Sequence, residues 1–333
     1  MTQRQHARPR VALAAGLSAT TFWIFSGATL AYAEPPELGT QDAETIFAAV
    51  APDVLKDVAE VEIVGGAVEY TDNGVTTQVP LDPREVVRLS TTGDEVGLSI
   101  PFGDQAELVE TSDPGVIAYE NGNGSRTALI VHDDSSIQIG TIIQGTESPH
   151  RYEYSLSIPA GGLISLDPAG SITILNGDGD YIAGVARPWA VDAQGNAIAT
   201  RYEVRGTSLT QVVDHSADAE YPIVADPWLG SALISKAVWA KNLWKYSPTL
   251  KVYPTQYGRA WGAPGIARWA AWSETLSKTP RAGWPNPATA SMENQFYCHF
   301  DVVRFRAPNK EYWGLDSKIP NRGYAGFLKT ECN

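Results

Sequence analysis

The stretch AEYPIVADPWLG, residues 219–230, divides the chain into two parts of opposite charge, and this division constrains the possible folds more than any other feature. Residues 34–229 contain 8 Lys and Arg against 32 Asp and Glu, a formal charge of −24. Residues 230–333 contain 14 Lys and Arg against 6 Asp and Glu, a formal charge of +8, and hold seven of the ten tryptophans. We therefore expect two separately organised parts that meet at a short joint.

The first 33 residues have the three-part pattern of a secretory signal. Basic residues between positions 4 and 10 precede an apolar run, and the small residues Ala31 and Ala33 occupy the two positions that signal peptidase reads. This pattern predicts cleavage between Ala33 and Glu34, and a mature chain that is secreted, extracellular or associated with the cell wall. An uncleaved membrane anchor is the alternative. No later run is long and apolar enough to predict a transmembrane segment.

Residues 34–227 have the pattern of a mainly β domain with one N-terminal helix. The helix is predicted in TQDAETIFAAVAPDV, because apolar residues recur there at helical spacing. The following segments alternate β-branched and polar residues, and the turn Asp72-Asn73-Gly74 is typical of a hairpin. Many short strands separated by Gly and Asp turns predict an antiparallel sandwich or an open barrel.

The basic part is predicted to be a small α+β domain over residues 235–333, joined by a linker at 228–234. Helices are predicted in GIARWAAWSETLSK, residues 265–278, and in a segment that begins with Ser291 as its N-cap. Cys298 and Cys332 are the only cysteines. In an exported protein two such cysteines most often form a disulfide, which here would close a loop of 34 residues.

Candidate catalytic residues are few and scattered. His299 is the only histidine of the basic part, and Glu274 and Asp301 are carboxylates available for acid–base chemistry. On an apolar helical face beside a disulfide, however, the favoured interpretation of His299 is a hydrogen-bonded core residue and not a general base. The chain lacks the GxSxG, HExxH, Walker and GxGxxG signatures, so the sequence favours a protein that is not an enzyme.

Neither a metal nor a cofactor is predicted. Asn176, Asp178 and Asp180 alternate as in a calcium loop, but Tyr181 and Arg187 stand where that loop needs a glycine and a bidentate acid. We interpret this segment as a hairpin turn.

Four residues are candidates for ligand binding. Arg304 and Arg306 alternate around Phe305, which would present two guanidinium groups to an anion. Trp272 and Trp313 are candidate stacking surfaces for a glycan. The alternative for the tryptophans is a structural role in the core of a small domain.

Two resemblances support the division of the chain. The order Pro188-Trp189-Ala190 followed by YPIVADP at residues 221–227 resembles a module of secreted actinobacterial proteins, over about residues 128–227. The resemblance implies a carrier or pro-like module and indicates no particular activity.

The basic part resembles the uncharacterised actinobacterial family called domain of unknown function 2599. The similar positions include Leu250-x-Val252-x-Pro254-Thr255, Gln295-Phe296-x-Cys298-His299 and Trp313-x-Leu315, within residues 235–333. The resemblance implies a compact domain with paired cysteines, and no agreed activity. The family usually has Asn-Leu-Glu after the last tryptophan, where this chain has Gly314-Leu315-Asp316.

Three functions follow from these patterns. The first is a two-domain secreted protein whose C-terminal domain binds an anionic or glycan-rich partner at the cell surface. The partner would be a cell-wall polymer, a lipid surface or a nucleic acid. The second is a toxin-like effector or small hydrolase or nuclease, with the acidic part as a pro or carrier module. The third is a structural envelope protein.

Overall fold

A computed structural model describes residues 41–112, 115–241, 245–260 and 266–332. The predicted signal peptide and its cleavage site between Ala33 and Glu34 therefore lie outside the described residues. Among the helices of these ranges, none has the length and apolar character needed to cross a membrane.

Two antiparallel sheets make up the acidic part. The strands in chain order are β1 (Glu62–Val64), β2 (Ala67–Asp72), β3 (Val75–Pro80), β4 (Val87–Ser90), β5 (Glu95–Ser99), β6 (Glu107–Ser112), β7 (Val116–Glu120), β8 (Ser125–Val131), β9 (Ile137–Ile143), β10 (Arg151–Ser157), β11 (Leu163–Leu166), β12 (Ile172–Leu175), β13 (Tyr181–Val185), β14 (Ala190–Val191), β15 (Thr200–Arg205), β16 (Ser208–Val213), β17 (Ile223–Ala225) and β18 (Trp228–Gly230). The first sheet has the order β1-β2-β3-β4-β5-β10-β16-β15. The second has the order β11-β12-β13-β18-β9-β8-β7-β6, and β17 joins it through β9 and β14.

The two sheets share one hydrophobic core. In β10, buried and exposed residues alternate, and Tyr152, Tyr154 and Leu156 are the buried ones. They belong to the same core cluster as Leu129 and Ile139 of the second sheet. The alternation of the sequence thus produces inward-facing apolar rows on both sheets, and the predicted mainly β, antiparallel fold is confirmed.

The N-terminal helix covers the outer face of the second sheet. Helix α1 (Ala43–Val50) begins after Asp42, whose side chain accepts a hydrogen bond from the Thr45 backbone NH at 2.7 Å. Phe47 lies against Gly140 in β9, where an added Cβ would come within 2.5 Å of the Phe47 ring. This second covering layer explains why every residue of β9 is buried.

The segment around Asp226-Pro227 belongs to the second sheet. β17 and β18 both pair with β9, and the register is continuous from Ala225 opposite Thr141 to Trp228 opposite Gln138. Between them the Ile139 backbone NH donates to the Pro227 carbonyl at 2.8 Å. The segment 228–234, assigned to a linker from the sequence, thus contains the buried strand β18.

The basic part is built around a three-stranded antiparallel sheet in the order β19-β20-β21. Its strands are β19 (Ile234–Ala240), β20 (Thr249–Pro254) and β21 (Trp313–Asp316), and its helices are α2 (Gln256–Ala260), α3 (Ile266–Lys278), α4 (Ala290–Cys298), α5 (Arg304–Arg306) and α6 (Gly323–Lys329). A π-helical segment, His299–Val303, connects α4 to α5. The predicted α+β character of this part is confirmed.

A disulfide connects Cys298 at the end of α4 to Cys332, which follows α6. The two Cα atoms are 5.3 Å apart, and 34 residues separate the cysteines in the sequence. The predicted disulfide is therefore confirmed.

The basic part packs directly against the second sheet. The Tyr257 backbone NH donates to Asp134 Oδ2 at 3.0 Å, and the Tyr257 ring lies 5.8 Å, between centres, from the ring of Trp228 in the acidic part. Gly230 is required here, because a Cβ would come within 2.5 Å of the Tyr257 ring. The C-terminal core cluster accordingly includes Trp228 and Ala186 from the acidic part.

Candidate functional site

The outer face of the three-stranded sheet is open to solvent and carries lysine and tyrosine side chains. Trp239 of β19 and Leu250 of β20 are buried on the inner face. Because side chains alternate along a strand, Lys236 of β19 and Lys251 and Tyr253 of β20 lie on the opposite face. The strand register places Lys236 directly opposite Tyr253.

These side chains form a continuous row, the basic aromatic face, which we define as Lys236, Tyr253, Tyr312 and Lys251. Lys236 Nζ is 4.5 Å from the centre of the Tyr253 ring, and Lys251 Nζ is 4.3 Å from the centre of the Tyr312 ring. The centres of the two tyrosine rings are 5.6 Å apart. Each exposed ammonium–ring contact contributes about 0.5–1 kcal/mol and still leaves N–H donors for a ligand.

Further lysines near the end of β19 and the start of β20 repeat this arrangement. Lys241 Nζ is 5.5 Å from the centre of the Trp284 ring, which stacks on buried Trp239 at 5.9 Å. Lys245 Nζ is 4.7 Å from the centre of the Tyr246 ring. Because Trp284 stacks on the inward-facing Trp239, Lys241 lies on the side of the inner face and is not part of the basic aromatic face.

The lysines of this surface are not neutralised by carboxylates of the described chain. The ion pairs among the described residues of the basic part are Arg268–Asp301, Lys278–Glu274 and Arg306–Glu331. None of these pairs involves Lys236, Lys241, Lys245 or Lys251. An anion that approaches this surface would therefore meet positive charge without displacing a carboxylate.

One end of the basic aromatic face borders a cleft between the acidic and basic parts. The cleft has a volume of 1090 Å³, and Lys236 and Arg259 lie on its basic wall. Its acidic wall contains Asp53, Asp57, Asp72, Asp133 and Asp134. Burial, followed by the charge of Asp134, raises the pKa of Asp133 to about 6. The acidic part thus places negative charge beside Lys236.

His299, one of the candidate catalytic residues, is a core residue, which is the role that the sequence favours. It is 1% exposed, and its Nδ1 is 2.9 Å from the Gln295 carbonyl oxygen. Burial lowers its pKa to about 4, and the charges of Lys310 and Arg306 act in the same direction. The imidazole is therefore neutral at neutral pH, which agrees with the structural alternative for this residue.

The two candidate carboxylates have separate structural partners. Glu274 accepts hydrogen bonds from the Leu233 and Ile234 backbone NH groups at 2.9 and 3.3 Å, and its other carboxylate oxygen is 3.0 Å from Lys278 Nζ. Burial raises the pKa of Glu274. These bonds attach the start of β19 to α3.

Asp301 accepts from Arg268 at 3.0 Å and from the Tyr324 hydroxyl at 2.7 Å, so it connects the π-helical segment to α3 and α6. None of the hydrogen bonds described for Glu274, Asp301 and His299 joins one of them to another. The structure does not assemble them into an acid–base set.

The predicted arginine pair is not presented on one surface. Residues 304–306 are helical, and side chains two positions apart on a helix point in different directions. Arg304 is 4% exposed, with its guanidinium 4.1 Å from the centre of the Phe300 ring, and burial lowers its pKa to about 10. Arg306 is exposed and lies 3.8 Å from Glu331. Arg304 and Arg306 therefore have different surroundings.

Trp272 and Trp313 lie in the C-terminal core. Trp272 is 6% exposed and Trp313 is fully buried, and both rings contact Phe296, at 5.3 and 5.7 Å between centres. Stacking on an external ligand needs an exposed ring, which neither residue has. Their positions agree with the structural alternative that the sequence left open.

The turn that resembles a calcium loop is held by its own backbone. Asn176 Oδ1 accepts from the backbone NH groups of Asp178 and Asp180 at 3.1 and 2.9 Å. Over the described ranges, no group of three or more His, Cys, Asp and Glu side chains is arranged to hold a metal ion.

We expect His299 to make stability depend on pH. Its pKa is lower in the folded state than in an unfolded chain, so the unfolded chain binds its proton first and stability falls as the pH drops from about 6.5 towards about 4. The loss between pH 7 and pH 5 should be about 2 kcal/mol. Urea denaturation of the wild type and His299→Gln at both pH values measures it. An equal loss in the two proteins would contradict this assignment.

The basic aromatic face was not singled out from the sequence, although a signal was present. ISKAVWA and TLKVYP alternate buried positions with exposed or half-buried ones, and the latter include Lys236, Lys251 and Tyr253 as well as Val238. A period of two with lysine on one face indicates an edge or surface strand. Tyr312 precedes β21, which pairs with β20 across about 60 residues, so local patterns could not place its ring beside Lys251.

Comparisons with known proteins find one family and several mycobacterial relatives. The family described as "Protein of unknown function (DUF2599)" matches residues 234–333. The uncharacterised proteins Rv0477 of Mycobacterium tuberculosis and Mb0487 of Mycobacterium bovis are each 35% identical to this chain over 138 residues, which cover 38% of this chain and 86% of the relative. No solved structure matches the chain. Through its C-terminal residues, the chain belongs to this family of proteins of unknown function.

Proposed function

We propose that the protein binds an anionic cell-surface polymer through the basic aromatic face of its C-terminal part. The observation that carries the proposal is the row of lysines over tyrosine rings, with no ion pair to a carboxylate of the described chain. A regularly spaced polyanion fits an open sheet face better than a single small ion does. Phosphate-bearing polymers also release counterions when lysines neutralise them, which favours binding.

The location of the protein is part of the proposal. The signal-like pattern of residues 1–33 supports export, and the mature chain would then be secreted, extracellular or associated with the cell wall. The acidic part would act as a carrier that positions the binding face. A toxin-like hydrolase receives less support, because His299, Glu274 and Asp301 each bind structural partners instead of one another.

A salt titration tests the proposal. The probe is a fluorescently labelled poly(glycerol phosphate), and the measurement is its fluorescence anisotropy against protein concentration at several salt concentrations. We expect affinity to fall as salt rises. Substitution of Lys236 and Lys251 by Gln should weaken binding about ten-fold and make the salt dependence less steep by roughly 1.4–1.8 in log–log slope, since two phosphate contacts are lost.

The control is Lys329→Gln, which removes an exposed lysine of α6, an element outside the three-stranded sheet. It should leave the slope nearly unchanged. If both variants reduce binding equally, the basic aromatic face is not the site. Substitution of Tyr253 and Tyr312 by Leu separates charge from stacking. If the tyrosine substitutions abolish binding and the binding of the wild type does not depend on salt, the partner is a neutral glycan. If the wild type binds anionic vesicles or single-stranded DNA more tightly than the polymer, the partner is a lipid surface or a nucleic acid instead.

A further inference from the structure

A second site is indicated by a groove between α3 and the acidic part, which no function described so far uses. Its volume is 460 Å³, within the range of about 300–1,000 Å³ that is typical of small-molecule sites. Trp269 and Ser273 of α3 line it, together with Thr92 and Asp180 from loops of the acidic part. No residue of the basic aromatic face lines this groove, so the two sites are separate.

Trp269 offers an accessible aromatic side chain at this groove. It is 50% exposed, whereas Trp272, further along α3, is 6% exposed and belongs to the C-terminal core. Ser273 and Ser277 follow Trp269 at intervals of four residues, so these side chains lie along one face of the helix. They extend over roughly 12 Å of the helix axis. A ligand that covers the exposed ring removes apolar surface from water, which favours binding.

Accessible hydroxyl groups of this groove have unused hydrogen-bonding capacity. Thr92 and Ser273 are exposed, and no hydrogen bond among the described residues uses either hydroxyl group. Ser277 Oγ donates to the Glu274 carbonyl oxygen at 2.8 Å, so it can still accept a hydrogen bond from a ligand. Because hydroxyl groups both donate and accept, they match a ligand that carries hydroxyl groups of its own.

The charged side chains that line the groove are Asp180, Glu274 and Lys278. Lys278 Nζ is 3.0 Å from a carboxylate oxygen of Glu274 and also donates to the Ile234 carbonyl oxygen at 2.6 Å, so these two opposite charges compensate each other. Asp180 is exposed, and none of the ion pairs between described residues includes it. A single carboxylate without a cation repels an anionic ligand and accepts hydrogen bonds from hydroxyl groups. The polyanion of the proposed function therefore does not fit this groove.

We propose that this groove binds an uncharged oligosaccharide, with the apolar C–H face of one sugar ring stacked on Trp269. The Asp180 carboxylate would accept hydrogen bonds from sugar hydroxyl groups, and Thr92 and Ser273 would exchange hydrogen bonds with others. Five Ser and Thr residues line the groove, against one carboxylate without an ion pair. This composition favours a ligand rich in hydroxyl groups over a cationic peptide, for which further carboxylates would be needed.

Fluorine NMR on the full chain, labelled with 5-fluorotryptophan, tests the proposal. The Trp269 resonance is assigned by its absence from the spectrum of Trp269→Phe. The probes are the β-1,4-linked tetramers of glucose, N-acetylglucosamine and mannose, with spermidine as the cationic comparator. We expect at least one tetramer at millimolar concentration to shift the Trp269 resonance more than those of the buried tryptophans. Ser273→Ala and Asp180→Ala should each weaken this binding about three- to ten-fold, because each removes a hydrogen bond to the ligand.

Substitution of the stacking ring gives the largest expected effect. In isothermal titration calorimetry, Trp269→Ala should bind the tetramer about ten-fold more weakly or worse, because a tryptophan commonly supplies much of the binding energy of a site. The matched control is Phe305→Ala, since Phe305 is 52% exposed and lies outside the groove. This variant should bind the tetramer as the wild type does.

Three results would each overturn the proposal. They are an unshifted Trp269 resonance with every tetramer, equal losses of binding in Trp269→Ala and Phe305→Ala, and tighter binding of spermidine than of any tetramer. The substitutions of Lys236 and Lys251 should leave tetramer binding unchanged, so failure of either site is separately visible.

Discussion

Substitution of Trp228 by Ala is expected to lower the free energy of unfolding by about 3–5 kcal/mol, the usual cost of truncating a large buried aromatic residue. Trp228 is 7% exposed and belongs to β18 in the second sheet. Its ring contacts His132 of the acidic part and Tyr257 of the basic part, at 5.1 and 5.8 Å between centres. The variant also leaves Ser136 Oγ without its indole donor. Differential scanning calorimetry should show a melting temperature lower by roughly 6–15 °C.

The same experiment tests how strongly the two parts depend on each other. Because the Trp228 side chain packs against residues of both the acidic part and the basic part, we expect both parts to melt at a lower temperature in Trp228→Ala than in the wild type. The matched control is Trp269→Ala, since Trp269 is 50% exposed and its loss should change stability by no more than about 0.5 kcal/mol. A sandwich that keeps its wild-type melting temperature while the C-terminal part melts early would show that the parts fold independently.

Local sequence patterns were sufficient for the class of the fold. The hairpin predicted at Asp72-Asn73-Gly74 forms as expected, because Asp72 pairs with Val75 and both Asn73 and Gly74 adopt positive φ. Residues with positive φ at both central positions give the tight turn that matches strand twist. Helix α1 forms for a similar reason, since its apolar spacing and its Asp42 cap are both local.

Boundaries that depend on distant partners were less predictable. The sequence places the N-cap of α4 at Ser291, whereas the cap is Thr289, whose side chain accepts from the Met292 backbone NH. Ser291 Oγ instead donates to the Ile319 carbonyl at 2.7 Å, across 28 residues. Thr289 and Ser291 can therefore both cap a helix chemically. Thr289 is the N-cap because the Ser291 hydroxyl is bound to a distant carbonyl group.

The candidate sites depend on pairing between distant strands and helices. The basic aromatic face requires β21 beside β20, and these strands are about 60 residues apart in the sequence. The local spacing of apolar and polar residues does not show which distant strands lie side by side. The sequence named His299, Trp272 and Trp313 as candidate site residues and gave a core role as the other interpretation of each. Their burial in the C-terminal core agrees with that core role.

Replacement of both cysteines by Ser is expected to lower the free energy of unfolding by about 3–4 kcal/mol. The disulfide closes a loop of 34 residues, and opening it increases the conformational entropy of the unfolded chain. Urea denaturation of the wild type with and without a reductant, and of Cys298→Ser/Cys332→Ser, measures the difference. Reduced wild type and variant should agree, and the variant should not respond to the reductant.

The location of the disulfide predicts where structure is lost first. Cys332 follows α6, which contributes the buried Phe327 to the core and the Tyr324 hydroxyl to Asp301 at 2.7 Å. Without the covalent bond these contacts alone hold the C-terminal residues, so hydrogen exchange should increase in α6 before it increases in β20. Uniform acceleration throughout the C-terminal part would show that α6 and the sheet unfold together. A stability difference below about 1 kcal/mol would contradict the entropic account of this disulfide.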